Sequence, residues 1–175
     1  MDELRDKIFA KVTGDVDPFK KIMSKIPGFD GYVERQSRRD SDKLVRDIIF
    51  KRFRELEARV SGIQRDFIDQ GNIKYVDDLE RAALKLRTFA DKVRTAARGY
   101  SGLFDAVKIN EAELARLYEY DAAMLELADE VERAIDNVEA SVGTDGLPAA
   151  IRHLETTARL SVETFEKREE VLLEA

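Results

Sequence analysis

Cysteine and tryptophan are absent from this chain of 175 residues, and histidine occurs only once. Without cysteine the protein has no disulfide, no thiolate metal ligand and no cysteine nucleophile. A carboxylate-bridged di-iron site would need two Glu-x-x-His motifs, and the lone His153 forms none. His153 adjoins the apolar position Leu154, which favours a surface or boundary residue over a ligand.

Motifs for nucleophilic and phosphate chemistry are also missing. The sequence has no Gly-x-Ser-x-Gly turn for a serine nucleophile and no glycine-rich loop for a phosphate. We therefore predict a protein that is not an enzyme, that holds no metal or cofactor, and that has no small-molecule substrate.

Long apolar runs are missing as well, since no segment approaches the roughly 20 apolar residues needed to cross a bilayer. The chain begins MDELRDKIFAK, which contains acids and lacks the apolar stretch of a signal peptide. A cysteine-free composition suits a reducing compartment. We therefore expect a cytoplasmic protein.

Charge is abundant but unevenly distributed. Residues 111–175 carry 6 basic and 17 acidic side chains, net −11, which leaves +5 for the rest of a chain whose total is −6. An acidic protein repels phosphates, and the bases between residues 35 and 59 alternate with acids, so nucleic acid is disfavoured as a partner. Basic and acidic helices either neighbour each other in one fold or recruit different partners.

Four long segments, residues 32–70, 73–98, 110–142 and 147–173, repeat apolar residues at alternating steps of three and four. This heptad spacing keeps one stripe of each helix against a neighbouring helix. The stripes consist of Ile49, Phe53, Leu56, Val60, Ile63 and Phe67; of Val76, Leu79, Ala83, Leu86, Ala90, Val93 and Ala97; of Leu114, Leu117, Asp121, Met124, Ala128, Val131, Ile135, Val138 and Val142; and of Leu147, Ile151, Leu154, Ala158, Ser161, Phe165, Arg168 and Leu172.

Short turns join these segments in pairs, at Gly71 and Asn72 and at residues 143–146, which predicts two antiparallel hairpins. The fold class that we predict is all-α. Its architecture is an antiparallel four-helix bundle of long helices over residues 32–175, with a short N-terminal amphipathic helical arm over residues 1–31.

Two stripe positions carry charge where an apolar residue is expected. Asp121 lies in the stripe of the third long segment and Arg168 in the stripe of the fourth. Each lies about 21 residues from the turn between the two segments, so equal helical rise places them level. We predict that they form a buried pair across the hairpin, and the alternative is a buried acid in a pocket.

One segment of the arm combines an apolar and a basic face. The apolar side chains are Phe19, Ile22, Met23 and Ile26, and the basic ones are Lys20, Lys21 and Lys25. A helix of this kind suits a groove on a protein partner or an anionic membrane surface. It can also pack back over one end of its own bundle. We predict these residues as a partner or membrane contact.

Three segments resemble a family of uncharacterised bacterial helical-bundle proteins: residues 26–32 (IPGFDGY), 37–44 (SRRDSDKL) and 99–108 (GYSGLFDAVK). The resemblance covers most of the chain. It implies a bacterial origin and a membrane-linked role, because genes of that family often lie near those of flotillin-type membrane-scaffolding proteins. It supplies no catalytic residues.

These patterns predict a non-enzymatic helical-bundle interaction or scaffold protein that acts through its surfaces, by binding a protein partner or by self-association. The contact regions that we expect are the arm and a second apolar stripe on the first long helix, made of Leu44, Ile48, Phe50 and Ile68. The alternative is a peripheral membrane-associated protein anchored by the N-terminal amphipathic helix.

Overall fold

The structure, a computed structural model, describes residues 2–13, 17–29, 35–96 and 111–174. Of these residues 90% are helical and none lies in a strand, so the all-α prediction is confirmed. The elements are α1 (Asp2–Thr13), α2 (Pro18–Lys25), α3 (Arg35–Asp69), a 3-10 turn (Ile73–Tyr75), α4 (Val76–Ala96), α5 (Glu111–Ala140) and α6 (Leu147–Glu174). Within the described ranges no helix combines the length and the apolarity needed to cross a bilayer.

The end of α3 is set by a glycine, as its sequence predicts. Gly71 has a φ of +72°, and its N–H donates to the carbonyl of Ile68 at 3.0 Å, while the N–H of Asn72 donates to the carbonyl of Phe67 at 2.8 Å. These two bonds form a Schellman motif, which satisfies the last carbonyls of a helix and needs a left-handed residue. The chain then reverses through the 3-10 turn, where the periodicity had predicted α-helix.

The predicted helix over residues 110–142 is too long at its C-terminal end. The helix α5 stops at Ala140, and the turn that follows contains Gly143 with a φ of +79°. Val142 lies in this turn and is 41% exposed, so it does not belong to the buried stripe. The apolar periodicity therefore continues two residues beyond the last helical residue, into the turn that contains Gly143.

Contacts between α3 and α4 join early residues of one helix to late residues of the other. The rings of Phe53 and Phe89 have centroids 4.1 Å apart, and Gln64 donates a hydrogen bond to the carbonyl of Val76 at 3.3 Å. The two helices therefore run antiparallel, as the short connection between them predicts.

The helices α4 and α6 are also packed neighbours, but they run in the same direction. Lys85 Nζ lies 3.4 Å from Glu155 Oε1, and Lys92 Nζ lies 2.6 Å from Glu166 Oε1 further along both helices. The ring of Phe89 also meets that of Phe165 edge-on, with 6.0 Å between centroids.

The basic helix α3 lies along the acidic helix α5. Arg52 Nη2 is 3.2 Å from Glu132 Oε2, and Arg59 Nη2 is 2.8 Å from Asp136 Oδ1 and 2.9 Å from Glu139 Oε2. The order of these pairs makes α3 and α5 parallel. The uneven distribution of charge is thus partly balanced inside the fold, which favours the interpretation of neighbouring basic and acidic helices.

The described members of the four stripes form most of the core, with Val76 and Leu114 half-buried at its edge. On the second stripe of α3, three side chains pack against this core and Ile68 is 49% exposed. The arm joins the same core, because α1 and α2 pack on α5. Its buried side chains are Ile8, Val12, Ile22, Ile26 and Phe29. The predicted boundary between residues 31 and 32 lies outside the described residues.

We expect one substitution, glycine to alanine, to have opposite effects at two glycines near the end of α3. Gly71→Ala should lower the free energy of unfolding by about 1–2 kcal/mol, because an L-residue is strained in the left-handed region. Gly62→Ala should raise it by about 0.5–1 kcal/mol, since Gly62 lies inside the helix and no atom stands within 4 Å of an added Cβ. Urea unfolding measures both, and equal signs would contradict the assignment of the helix end.

Candidate functional site

The helix α2 is positioned by its own ends. The carboxylate of Asp17 accepts a hydrogen bond from the N–H of Phe19 at 3.0 Å, and Pro18 occupies the first helical position. Both are features of a stable helix N-terminus. At the other end the N–H of Ile26 still donates to the carbonyl of Ile22 at 2.9 Å. These bonds hold two turns of helix with their apolar side toward α5.

Apolar and aromatic side chains make the contact between the arm and α5, which we call the arm interface. Ile22 and Ile26 are fully buried, and Phe29 is 2% exposed. The rings of Phe19, Phe29 and Tyr118 contact one another, with centroid distances of 5.6 Å from Phe19 to Phe29, 5.3 Å from Phe19 to Tyr118 and 6.4 Å from Phe29 to Tyr118. Tilted and edge-on ring pairs at such distances stabilise a contact beyond the area that they bury.

The helix α1 adds a second aromatic contact to the arm interface. Phe9 meets Tyr120 of α5 edge-on, with 5.5 Å between the ring centroids. The buried side chains of Ile8 and Val12 lie on the same side of α1. Both arm helices therefore pack on α5.

An ion-pair cluster borders this apolar contact. Lys25 Nζ of α2 lies 2.9 Å from Glu126 Oε1 and 2.5 Å from Asp129 Oδ2, both on α5. Arg52 of α3 also pairs with Asp129 and with Glu132. We call these five residues the Lys25 cluster. It connects three helices and matches the basic α2 to the acidic α5.

The Lys25 cluster changes the acidity of Asp129. Burial alone would raise the pKa of Asp129, but the hydrogen bond and charge of Lys25, together with the charge of Arg52, outweigh burial and hold the pKa below its ordinary value. Asp129 is therefore ionised in the folded protein, and its ionised form favours the docked arm.

The structure brings only part of the sequence-predicted contact face to the surface. Lys20 and Met23 are exposed, Met23 by 47%, and Lys21 and Phe19 are half-buried. The remaining members of the predicted set are Ile22 and Ile26, buried on α5, and Lys25, engaged in the Lys25 cluster. Of the uses weighed from the sequence, packing back on the bundle is therefore the one that this structure contains.

The arm interface explains an unusual feature of α5. Five consecutive residues, from Asp121 to Leu125, are buried, although one stripe of a helix can bury only every third or fourth residue. The arm covers one side of α5, and α3 and α6 cover the others. The run DAAMLELA at 121–128 is apolar on nearly all sides and could have identified α5 as the enclosed helix.

A chain of four buried charges lies on the inner side of the same part of α5. Arg168 Nε of α6 donates to Asp121 Oδ1 at 2.5 Å, and its Nη2 donates to Asp42 Oδ1 of α3 at 2.6 Å. Arg46 Nε donates to Asp42 Oδ2 at 2.7 Å. The structure thus brings Asp121 and Arg168 together, both fully buried, and adds Asp42 and Arg46, which the heptad pattern does not single out.

Among the described residues, this buried ion-pair chain contains two carboxylates and two guanidinium groups, whose formal charges balance. Each carboxylate oxygen that faces an arginine accepts a charge-assisted hydrogen bond, the strong form of that interaction. The geometry fixes the relative heights of α3, α5 and α6. Among the described residues, both Asp42 and Asp121 face arginines.

Among the described residues, the other titratable groups include no set of three or more His, Asp or Glu side chains that could hold a metal. The imidazole of His153 is 43% exposed, and its Nε2 lies 3.8 Å from Glu130 Oε1. His153 is a surface residue, as its position beside the stripe predicts.

We expect Arg168→Met to lower the free energy of unfolding by about 3–5 kcal/mol, because two buried carboxylates lose their shared cation. The matched control is Arg159→Met on the same helix. The pair of Arg159 with Glu163 is 42% and 40% exposed, so its loss should change stability by no more than about 0.5 kcal/mol. Similar urea midpoints for the two variants would contradict a structural role for the buried chain.

The arm interface should weaken in acid. Because the pKa of Asp129 is lowered in the folded protein, its stabilisation is complete above the ordinary value of about 3.8 and is lost as the pH falls through the lower folded value. The substitution Phe19→Trp gives a single tryptophan at the arm interface, since the chain has none. The fluorescence emission of this tryptophan should shift to longer wavelength below about pH 4.

The control for this acid transition is Phe19→Trp combined with Asp129→Asn. The amide cannot ionise, so the shift in tryptophan emission should become smaller. An unchanged size and midpoint would show that Asp129 does not hold the arm.

No family model, curated protein or solved structure matches this chain.

Proposed function

We propose that this protein is a non-enzymatic interaction or scaffold protein that works by docking helices on its surface. The observation that carries the proposal is the arm interface, in which an amphipathic helix of 8 residues lies on α5. Its fully buried Ile22 and Ile26 and the paired Lys25 supply apolar and charged contacts together. Recognition of an amphipathic helix by an apolar surface is a common mode of protein association.

The architecture suited to this function is an antiparallel four-helix bundle with the arm laid on one of its members. The hairpins α3–α4 and α5–α6 lie side by side, with α3 beside α5 and α4 beside α6. Such a bundle buries its stripes internally and leaves the outer face of α5 to the arm. This arrangement supports a rigid body that carries one docked helical element.

The surface chemistry supports protein association more than membrane attachment. With Ile22 and Ile26 buried, only Met23 of the apolar face of α2 reaches solvent to a large extent. The arm would have to leave α5 before its face could enter lipid, and one short helix binds lipid weakly. The cytoplasmic location and the bacterial origin remain part of this proposal, and peripheral membrane attachment through the arm remains its alternative.

Light scattering coupled to size exclusion tests the proposal over a wide range of protein concentration. We expect the mass to rise above that of one 20.0 kDa chain as concentration increases, because a scaffold of this kind associates through its surfaces. The charged-to-alanine substitution Lys74→Ala, on the exposed 3-10 turn away from the arm, serves as a control that should leave the association unchanged. A strict monomer at every concentration would contradict self-association.

A further inference from the structure

We propose that the face of α5 under the arm accepts α2 from a second copy of this chain, so that two copies assemble by exchanging their arms. The inference rests on the proposed self-association and names the surface and the partner. Its basis is the arm interface, where both halves of a helix-docking contact belong to one chain.

The contact between α2 and α5 within one chain already shows that α2 of a second copy fits this face. Every copy presents an α5 face that is complementary to α2, and every copy carries an α2. Ile22 and Ile26 supply the apolar part of the contact. A second copy can therefore offer the same side chains in the same geometry, with no new complementarity required.

Charge selects the same partner. The helix α2 contains three lysines and no acid, while the α5 side of the contact presents Glu126 and Asp129 to Lys25 at 2.9 and 2.5 Å. Arg52 pairs with Asp129 and Glu132. The three acids of the Lys25 cluster therefore outnumber its one arginine, which leaves the α5 side acidic enough for a further cation. A helix with the charge of α2 is attracted to this face, and an acidic helix is repelled.

The arm can be exchanged at small cost to the rest of the fold. The helices α1 and α2 have 12 and 8 residues, lengths at which an isolated helix is marginal in water and depends on its packing. The arm packs mainly on α5, whereas the four long helices also pack on one another. Local opening begins in elements of this kind.

Mass action then decides between the closed monomer and the exchanged dimer. Each copy loses one α2–α5 contact and gains an identical one, so the contact energy is unchanged. A closed monomer is favoured by the high effective concentration of its own arm, and a dimer by high protein concentration. We therefore expect slow conversion between the two forms, because each arm must detach before it can dock elsewhere.

A pair of charge reversals tests the exchange directly. In Lys25→Glu the new carboxylate of the arm is repelled by Glu126 and Asp129 of the same chain. In Glu126→Lys the new lysine on α5 repels Lys25 of the same chain. Each variant alone has a mismatched arm interface. When the two are mixed, the arm of the first suits the α5 face of the second better than it suits its own.

Mixing the two variants should give a heterodimer of about twice the mass of one chain, at a concentration where each alone and the wild type are monomers. The double variant Lys25→Glu with Glu126→Lys in one chain is the matched control, because it restores a complementary pair within the chain. It should remain a monomer. Absence of a heterodimer from two variants that retain the helicity of the wild type would overturn the proposal.

A second measurement leaves the Lys25 cluster intact. Because the chain has no cysteine, Met23→Cys on α2 of one population and Arg116→Cys on α5 of another place one dye on each copy at exposed positions. Fluorescence energy transfer between the two labelled populations should appear only after incubation at high protein concentration. After dilution it should persist until each arm docks again on its own chain. Self-association without such transfer would overturn arm exchange while leaving the scaffold function in place.

Vesicles separate this proposal from lipid binding by the released arm. The variant Glu126→Lys keeps the whole apolar and basic face of α2 and should not float with vesicles that contain anionic lipid. Flotation of Glu126→Lys together with no heterodimer on mixing would show that the loosened arm binds a membrane instead, and would overturn the exchange.

Discussion

The position of Arg168 between two buried carboxylates constrains the rest of this structure. A charge with no access to solvent must be matched by opposite charge at hydrogen-bond distance, or the fold loses several kcal/mol. Arg168 meets that requirement only when Asp121 of α5 and Asp42 of α3 lie at its own height. Apolar stripes alone tolerate sliding between helices, whereas this chain of charges defines one register for three of them.

The arm depends on the same part of α5 from the outside. The turns of α5 around Asp121 contribute this aspartate to the buried ion-pair chain. The same turns contribute Tyr118 and Tyr120 to the aromatic contacts with the arm. One turn further on, Glu126 and Asp129 pair with Lys25. The buried ion-pair chain therefore fixes the height of the α5 face on which the arm docks. A substitution in the buried chain should change how the arm packs on that face.

The balance of charge connects this architecture to function. Basic α3 and acidic α5 neutralise each other along their length, through pairs such as Arg59 with Glu139. The arm meets two further acids of α5, because Lys25 pairs with Glu126 and shares Asp129 with an arginine of α3. A helix of the same charge and apolar pattern from another chain satisfies the same acids, and this is the physical link between the fold and the association that we propose.

Much of the fold follows from the sequence, because heptad spacing reports local helix geometry and the burial of one stripe. The stripe residues from Ile49 to Phe67, the stop at Gly71 and the level placement of Asp121 and Arg168 all follow from helical rise and turn chemistry. The predicted end of α5 was wrong at Val142, because apolar spacing does not register where a left-handed glycine turns the chain.

The sequence by itself therefore determined the helices, their hairpins and a charged pair within one hairpin, since each depends on residues close in the chain or on a counted rise. Only the tertiary structure decided what the arm does and which other groups join the buried charges. Lys25 and Asp129 are 104 residues apart, and Asp42 and Arg168 are 126 apart. No local pattern encodes such pairs, because they exist only after separate helices pack around α5.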